Sequence, residues 1–158
     1  MMITLERDNA RFTCRVVGVA IEEGRVLLHR ALRDDFWALP GGRAEVLESS
    51  AGTLRREMQE ELGIDVEVVR LLWLAENFFE YEGLNVHELG LYFLMQVPHD
   101  WPYRTSRESF EGKEDHIALE FRWFPLEELP ELVLYPTFLR HGLQELPSTI
   151  QHVVQRNE

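Results

Sequence analysis

A mixed β-sheet flanked by helices, an α/β fold, is the class this sequence predicts, on three observations. Apolar, β-branched runs of strand character recur on both sides of one strongly helical segment. A second helical segment follows near the end of the chain, so a sheet can be covered from both faces. No repeat, low-complexity tract or linker interrupts the 158 residues, which read as one domain long enough for a single core. Hydrophobic residues at 45% and charged residues at 28% are ordinary for a globular chain.

Taken in order, residues 12–21 (FTCRVVGVAI) are apolar and β-branched and predict a buried strand. Glu22-Glu23-Gly24 is turn chemistry, and residues 25–30 (RVLLHR) are expected to return as the partner strand of a hairpin. Residues 30–35 read as a charged loop. Pro40-Gly41-Gly42 marks a close backbone passage, because both glycines are free to take positive φ. Over residues 50–62, Ala51, Leu54, Met58 and Leu62 recur at helical spacing, with Ser49 or Ser50 to cap the start and Gly63 to close the end. Residues 64–74 predict a strand that residues 76–81 either continue or follow. Glu82 to Asn85 carries turn chemistry, and residues 86–97 form a long apolar strand. Residues 98–115 are polar, contain Pro98, Pro102 and Gly112, and read as one long loop. A further strand covers 116–124, a short helical turn begins at Pro125, and residues 136–146 predict a C-terminal helix stopped by Pro147. The tail, residues 147–158, is expected to fray.

The helix at 50–62 asks for a chemical explanation. At about 100° per residue its apolar stripe faces a core, while Arg56, Glu57, Glu60 and Glu61 gather on the other side. Glu57 repels Glu60 and Glu61 at about 0.2–0.5 kcal/mol per pair. Glu60 and Glu61 also sit at the negative end of the helix dipole, at roughly 0.3–1 kcal/mol each. Arg56 offsets part of this through Glu60. A Glu-rich face is most often merely solvated. A cluster of carboxylates is also what hard divalent cations require.

The wider spacing decides between them. Gly42, five residues, Glu48, seven residues, Arg56-Glu57, Met58, Gln59, Glu60-Glu61, Leu62, Gly63 and Ile64 fill every fixed position of the Nudix box, over residues 42–64. The chain therefore resembles the Nudix hydrolases of the MutT-like kind and departs from that pattern nowhere. The resemblance implies a Nudix-type α/β/α sandwich with a central mixed sheet. It also implies metal-dependent hydrolysis, by water attack at phosphorus, of a pyrophosphate bond in a nucleoside diphosphate linked to another moiety. The metal would be Mg²⁺ or Mn²⁺. Carried over by position, Glu57 and Glu61 are metal ligands, and Glu60 binds directly or through water. One of these three acts as general base, with Glu57 the first choice. Gly41 supplies a carbonyl ligand, and Arg56 orients the carboxylates through a charge-assisted hydrogen bond to Glu48. Relatives add an acid from far downstream of the box. Glu108, Glu111, Glu114, Asp115 and Glu120 are the candidates here, with Glu114 favoured for its place before the last strand.

The resemblance leaves the substrate open among nucleoside triphosphates, dinucleoside polyphosphates and nucleotide sugars. The proline that marks ADP-ribose-cleaving relatives is absent around Asn77–Glu80, whereas Tyr81 lies near the tyrosine of dinucleoside-polyphosphate-cleaving ones. Phe78, Phe79 and Tyr81 either stack on a base or pack in the core. A catalytically silent nucleotide-binding regulatory module is the alternative function, although such chains usually lose box acids. A prenyl-diphosphate isomerase normally needs a cysteine near the site, and the single Cys14 sits in an apolar run.

The net charge of −12 argues against a nucleic-acid or anionic-membrane partner and for a small nucleotide whose phosphates meet bound cations. A homodimer is an open expectation, since dimers are common among relatives. The lone cysteine excludes a disulfide framework. The charged N-terminus and the lack of any apolar run of about 18 residues predict a cytoplasmic protein. The six histidines show no ligand spacing, and the four tryptophans read as packing anchors.

Overall fold

The computed structural model describes residues 1–114 and 116–156. Among the described residues, ten strands form two sheets. The larger contains β1 (Thr4–Arg7), β2 (Ala10–Val19), β5 (Gly41–Arg43), β6 (Glu67–Tyr81), β7 (Leu84–Gln96) and β10 (Gln151–Arg156), in the order β1-β2-β7-β6-β10 with β5 also on β2. It is mixed, because β2 runs parallel to β7 and β10 parallel to β6, while the remaining pairs are antiparallel. The smaller, wholly antiparallel sheet has the order β3 (Ile21–Glu22), β4 (Arg25–Ala31), β9 (Ile117–Pro125), β8 (Phe110–Glu114).

The helix α1 (Ser50–Leu62) has the predicted bounds and caps. Ser49 Oγ accepts from the Gly52 N–H at 3.1 Å, and Gly63 closes the end at φ 68°. Leu54 and Met58 are fully buried against Val16, Leu27, Phe121 and their neighbours, forming one core on one side of the sheets. Alternation along the strands sends Val17, Val19, Val26 and Leu28 to the other side. There they meet Leu129 of the 3₁₀ helix Leu126–Glu131 and Leu139 of α2 (Leu139–Gly142). This is a sheet layer between helical layers, with one long helix and little helix opposite.

Four expectations need correction. The hairpin after β2 shrinks to two cross-strand pairs, Ile21 with Val26 and Glu22 with Arg25. Both edges of β2 are already taken, by β7 on one side and by β1 followed by β5 on the other. The expected loop at 98–115 ends in β8, whose Phe110 lies opposite Phe121 and whose exposed Glu111 and Lys113 alternate with inward residues. The C-terminal helix is a single turn at Leu139–Gly142, not 136–146. Gly142 is a poor helix interior residue, and the segment instead delivers Leu139 and Leu143 to the core. The tail does not fray over Gln151–Arg156. It pairs with β6 from Trp73 to Phe78 and so covers an edge that would otherwise expose unpaired backbone groups. Among the described residues, no helix is long and apolar enough to cross a membrane.

Candidate active site

The site begins with how β5 lies on β2. The Gly18 N–H donates to the Pro40 carbonyl and the Ala44 N–H to the Cys14 carbonyl, both at 2.9 Å. Antiparallel pairs alternate between bonded and non-bonded. Gly41 and Arg43, opposite Val17 and Arg15, therefore turn their own N–H and C=O groups away from β2. The Arg43 carbonyl accepts from Arg56 Nη2 at 3.3 Å, and the Gly41 carbonyl points to the same side. At Gly41 φ is 152°, and a Cβ would strike the Val16 carbonyl; at Gly42 a Cβ would fall on the Glu57 carboxylate. Neither place admits another residue without a shift.

Arg56 joins the loop to the helix. Its Nε donates to Glu48 Oε2 at 2.8 Å and its Nη2 to Glu48 Oε1 at 3.1 Å, a two-pronged pair, while Thr53 Oγ1 donates to the same Glu48 oxygen at 2.6 Å. Nη1 donates to Glu57 at 2.8 Å and to the exposed Glu60 at 3.3 Å. The Glu48 carboxyl is held below its ordinary pKa, first by the hydrogen bond from Arg56, and Arg56 is pushed further up by Glu48.

The two carboxylates behind Arg56 are of a different kind. Glu57 is 8% exposed and Glu61 4%. Burial, then the charge of Glu61, raises the Glu57 pKa to about 8. Burial, then the charge of Glu114, raises that of Glu61 to about 8. Among the described residues neither Glu61 oxygen accepts a hydrogen bond. His29 Nδ1 lies 3.3 Å from Glu61 Oε1 but makes no hydrogen bond with it. Burial, then Arg15, lowers the His29 pKa to about 3, so the ring is neutral and the contact is not an ion pair. Buried carboxyls without partners are rare and costly. Oxygen donors of this kind fit a hard divalent cation. Among the described residues, no three acid, histidine or cysteine side chains already converge on one ligating point; Glu57 is turned to Arg56 and Glu61 to His29.

Of the downstream acids, Glu114 is the one beside the box. Gly112 packs so closely on the end of α1 that a Cβ there would come within 3.0 Å of the Glu61 carbonyl, and Glu114 follows two residues on along the same face of β8. Glu108 and Glu111 are exposed, Glu120 is bound to Arg30 at 2.8 Å, and Asp115 lies outside the described residues. A cavity of about 760 Å³, bounded by both sheets, reaches the box at Arg43, is flanked there by His29 and Glu114, and carries Phe79 and Tyr81 in its lining.

A family model described as the NUDIX domain matches residues 12–145, most of the chain. This chain belongs to the Nudix family. The putative ADP-ribose pyrophosphatase YjhB of Bacillus subtilis (strain 168) is 42% identical over 117 residues, covering 74% of this chain and 52% of that protein. The RNA pyrophosphohydrolase of Ruthia magnifica is 36% identical over 133 residues, covering 72% of this chain and 70% of its own. This chain thus spans about half of the first relative and more of the second. Among solved structures, the MutT Nudix hydrolase of Burkholderia pseudomallei superposes with a TM-score of 0.61 at 24% identity, covering 82% of this chain and 95% of that one, which shows the shared Nudix fold.

Three residues in the neighbourhood of the Nudix box escaped the sequence reading. His29 and Arg15 reach the site from β4 and β2, brought there only by how the strands are arranged, whereas Arg43 lies inside the box at a position its pattern leaves variable. For Arg43 alone a signal existed, since it follows Gly41-Gly42 directly.

Proposed function

We propose that this chain hydrolyses a pyrophosphate bond in a nucleoside diphosphate linked to another moiety, by attack of water at phosphorus, with Mg²⁺ or Mn²⁺ as cofactor. The observation that carries this reading is the pair of buried carboxyls, Glu57 against Gly42 and Glu61 beside His29, next to a nucleotide-sized cavity lined by His29, Arg43 and Glu114. Glu57, Glu61, Glu60 and the Gly41 carbonyl would hold the ion. Bound there, it supplies positive charge against the phosphate oxygens and makes water easier to deprotonate.

The chain's own residues do the rest. Glu57, buried and fixed beside Gly42, is our first choice of general base once a bound ion has displaced its proton. Arg56, anchored at both prongs by Glu48, fixes where the Glu57 carboxylate points. Glu114 adds a further acid on the cavity side. The names of the relatives, pyrophosphatase and pyrophosphohydrolase, support the reaction and differ in the substrate.

Nucleoside triphosphates, ADP-sugars and dinucleoside polyphosphates, each with Mg²⁺ or Mn²⁺ and with products identified, make the test. Turnover of at least one is expected, and Glu57→Gln should lower it by about two orders of magnitude or more. Nucleotide binding without any product would point instead to a silent regulatory module, and an undiminished rate in the variant would refute the role given to Glu57.

A further inference from the structure

Arg15 on β2 and Arg43 on β5 stand directly opposite one another. Theirs is a non-bonded pair, the arrangement that brings cross-strand side chains closest. Like charges so placed repel and cost stability, yet both side chains face the cavity rather than diverging into solvent. Two other arginines of the cavity lining are neutralised, Arg11 by Glu6 and Arg30 by Glu120. Among the described residues, Arg15 and Arg43 enter no ion pair and their side chains make no hydrogen bond. This positive pair, with the acid Glu88 near both but bonded to neither, belongs to a chain of net charge −12.

Its position is next to the acids of the box. The carbonyl of Arg43 is tied to Arg56, and the neighbouring Gly42 lies under the Glu57 carboxylate. The charges of Glu88, Glu114 and Glu61 surround Arg15. Two planar guanidinium forks side by side match adjacent phosphate groups, which accept paired hydrogen bonds.

We infer that Arg15 and Arg43 form a two-guanidinium clamp that grips the diphosphate of the substrate from the cavity side and positions it against Glu57 and Glu61. This rests on the reading of the chain as a pyrophosphate hydrolase and gives that reaction two positioning residues. The ligand class is a diphosphate anion in preference to a single phosphate, because a diphosphate offers each fork its own phosphate group and carries more negative charge.

Calorimetric titration of the full chain with inorganic pyrophosphate, and separately with inorganic phosphate, in EDTA tests the clamp without metal or turnover. Pyrophosphate should bind more tightly than phosphate. Arg15→Gln and Arg43→Gln should each weaken it by at least about tenfold, the loss of a charge-assisted hydrogen-bonded pair, and Arg43→Lys should recover part of the loss. Without ligand, the Gln variants should melt within about 5 °C of wild type, since the repulsion relieved is offset by attraction lost to Glu88 and its neighbouring acids. Equal pyrophosphate affinity in wild type and variants would overturn the clamp. So would wild type that ignores pyrophosphate, or unliganded Gln variants that melt more than about 5 °C lower, which would mark the arginines as structural. Pyrophosphate held through both arginines in a chain that cleaves no nucleotide would keep the clamp and sink the hydrolase reading. Cleavage with unchanged KM in both Gln variants would do the reverse.

Discussion

Replacing Arg56 by alanine should unfasten the site more than any other single change. The side chain makes two bonds to Glu48, at 2.8 and 3.1 Å, one to buried Glu57 at 2.8 Å, and longer ones to Glu60 and the Arg43 carbonyl at 3.3 Å. A hydrogen bond to a charged group contributes about 1.5–3 kcal/mol, and the fork to Glu48 is treated as one such unit because its prongs share a carboxylate. The Glu60 arm, with that acid largely exposed, adds only about 0.3–0.5 kcal/mol. Glu57, its pKa raised to about 8 by burial, is largely neutral at pH 7, so its arm contributes at the low end of that range. The sum is about 3 kcal/mol, or roughly 6–12 °C in Tm for a domain of this size. Scanning calorimetry at pH 7 in EDTA measures it, and Arg56→Lys, which keeps charge without a fork, should recover only part. Crossing Arg56→Ala with Glu48→Gln should give a coupling of about 1 kcal/mol or more. Because Glu48 is held below its usual pKa, its share of stability is present at neutral pH and disappears as pH falls through that lowered value. The gap between wild type and Arg56→Ala should therefore narrow as pH falls below the ordinary carboxylate range. A Tm within about 2 °C of wild type, or no coupling, would refute this account of the fork.

Three further outcomes follow from the same geometry. Glu57 and Glu61 titrate near 8 in the folded chain against 4.5 as free groups, so between those values the folded state binds more protons and stability declines as pH rises; metal-free Tm should fall from pH 5.5 to 8.5, Glu61→Gln should flatten that slope, and a slope unchanged by Glu61→Gln would contradict it. Gly42→Ala places a Cβ on the Glu57 carboxylate and should cost about 1–3 kcal/mol together with a loss of divalent-ion affinity; normal melting and normal affinity would show that the two segments part easily. Ending the chain after Ile150 removes the partner of the β6 edge and the packed Val153, so Tm should drop and self-association should rise, as light scattering would report; an equally stable monomer would make β10 dispensable.

What the sequence made legible was local chemistry. The helix at 50–62 announced its face by the spacing of Leu54 and Met58 and its ends by Ser49 and Gly63, and all of these lie within a few residues of one another. The β6–β7 hairpin was readable from Glu82-Gly83, which take φ of 51° and 80°. Partner choice was not readable. The valines of β2 say that the strand is buried on both faces, but not that β7 lies parallel beside it. Single β-branched residues flanked by polar ones, as in β10, look alike in a tail and in an edge strand. The box residues were legible because they share one helix and its leading loop. Arg15 and His29 were not, because strand pairing, rather than any spacing along the chain, carries them to the acids.

The central claim is that Glu57 and Glu61 stay buried and largely protonated until a divalent ion claims them. Calorimetric titration of the wild-type chain with Mn²⁺ at pH 7, in two buffers of different ionisation enthalpy, measures the protons released on binding. The account requires net proton release on binding, with release and affinity both sharply reduced in Glu61→Gln. Binding without proton release, or with the same affinity in the variant, would contradict it.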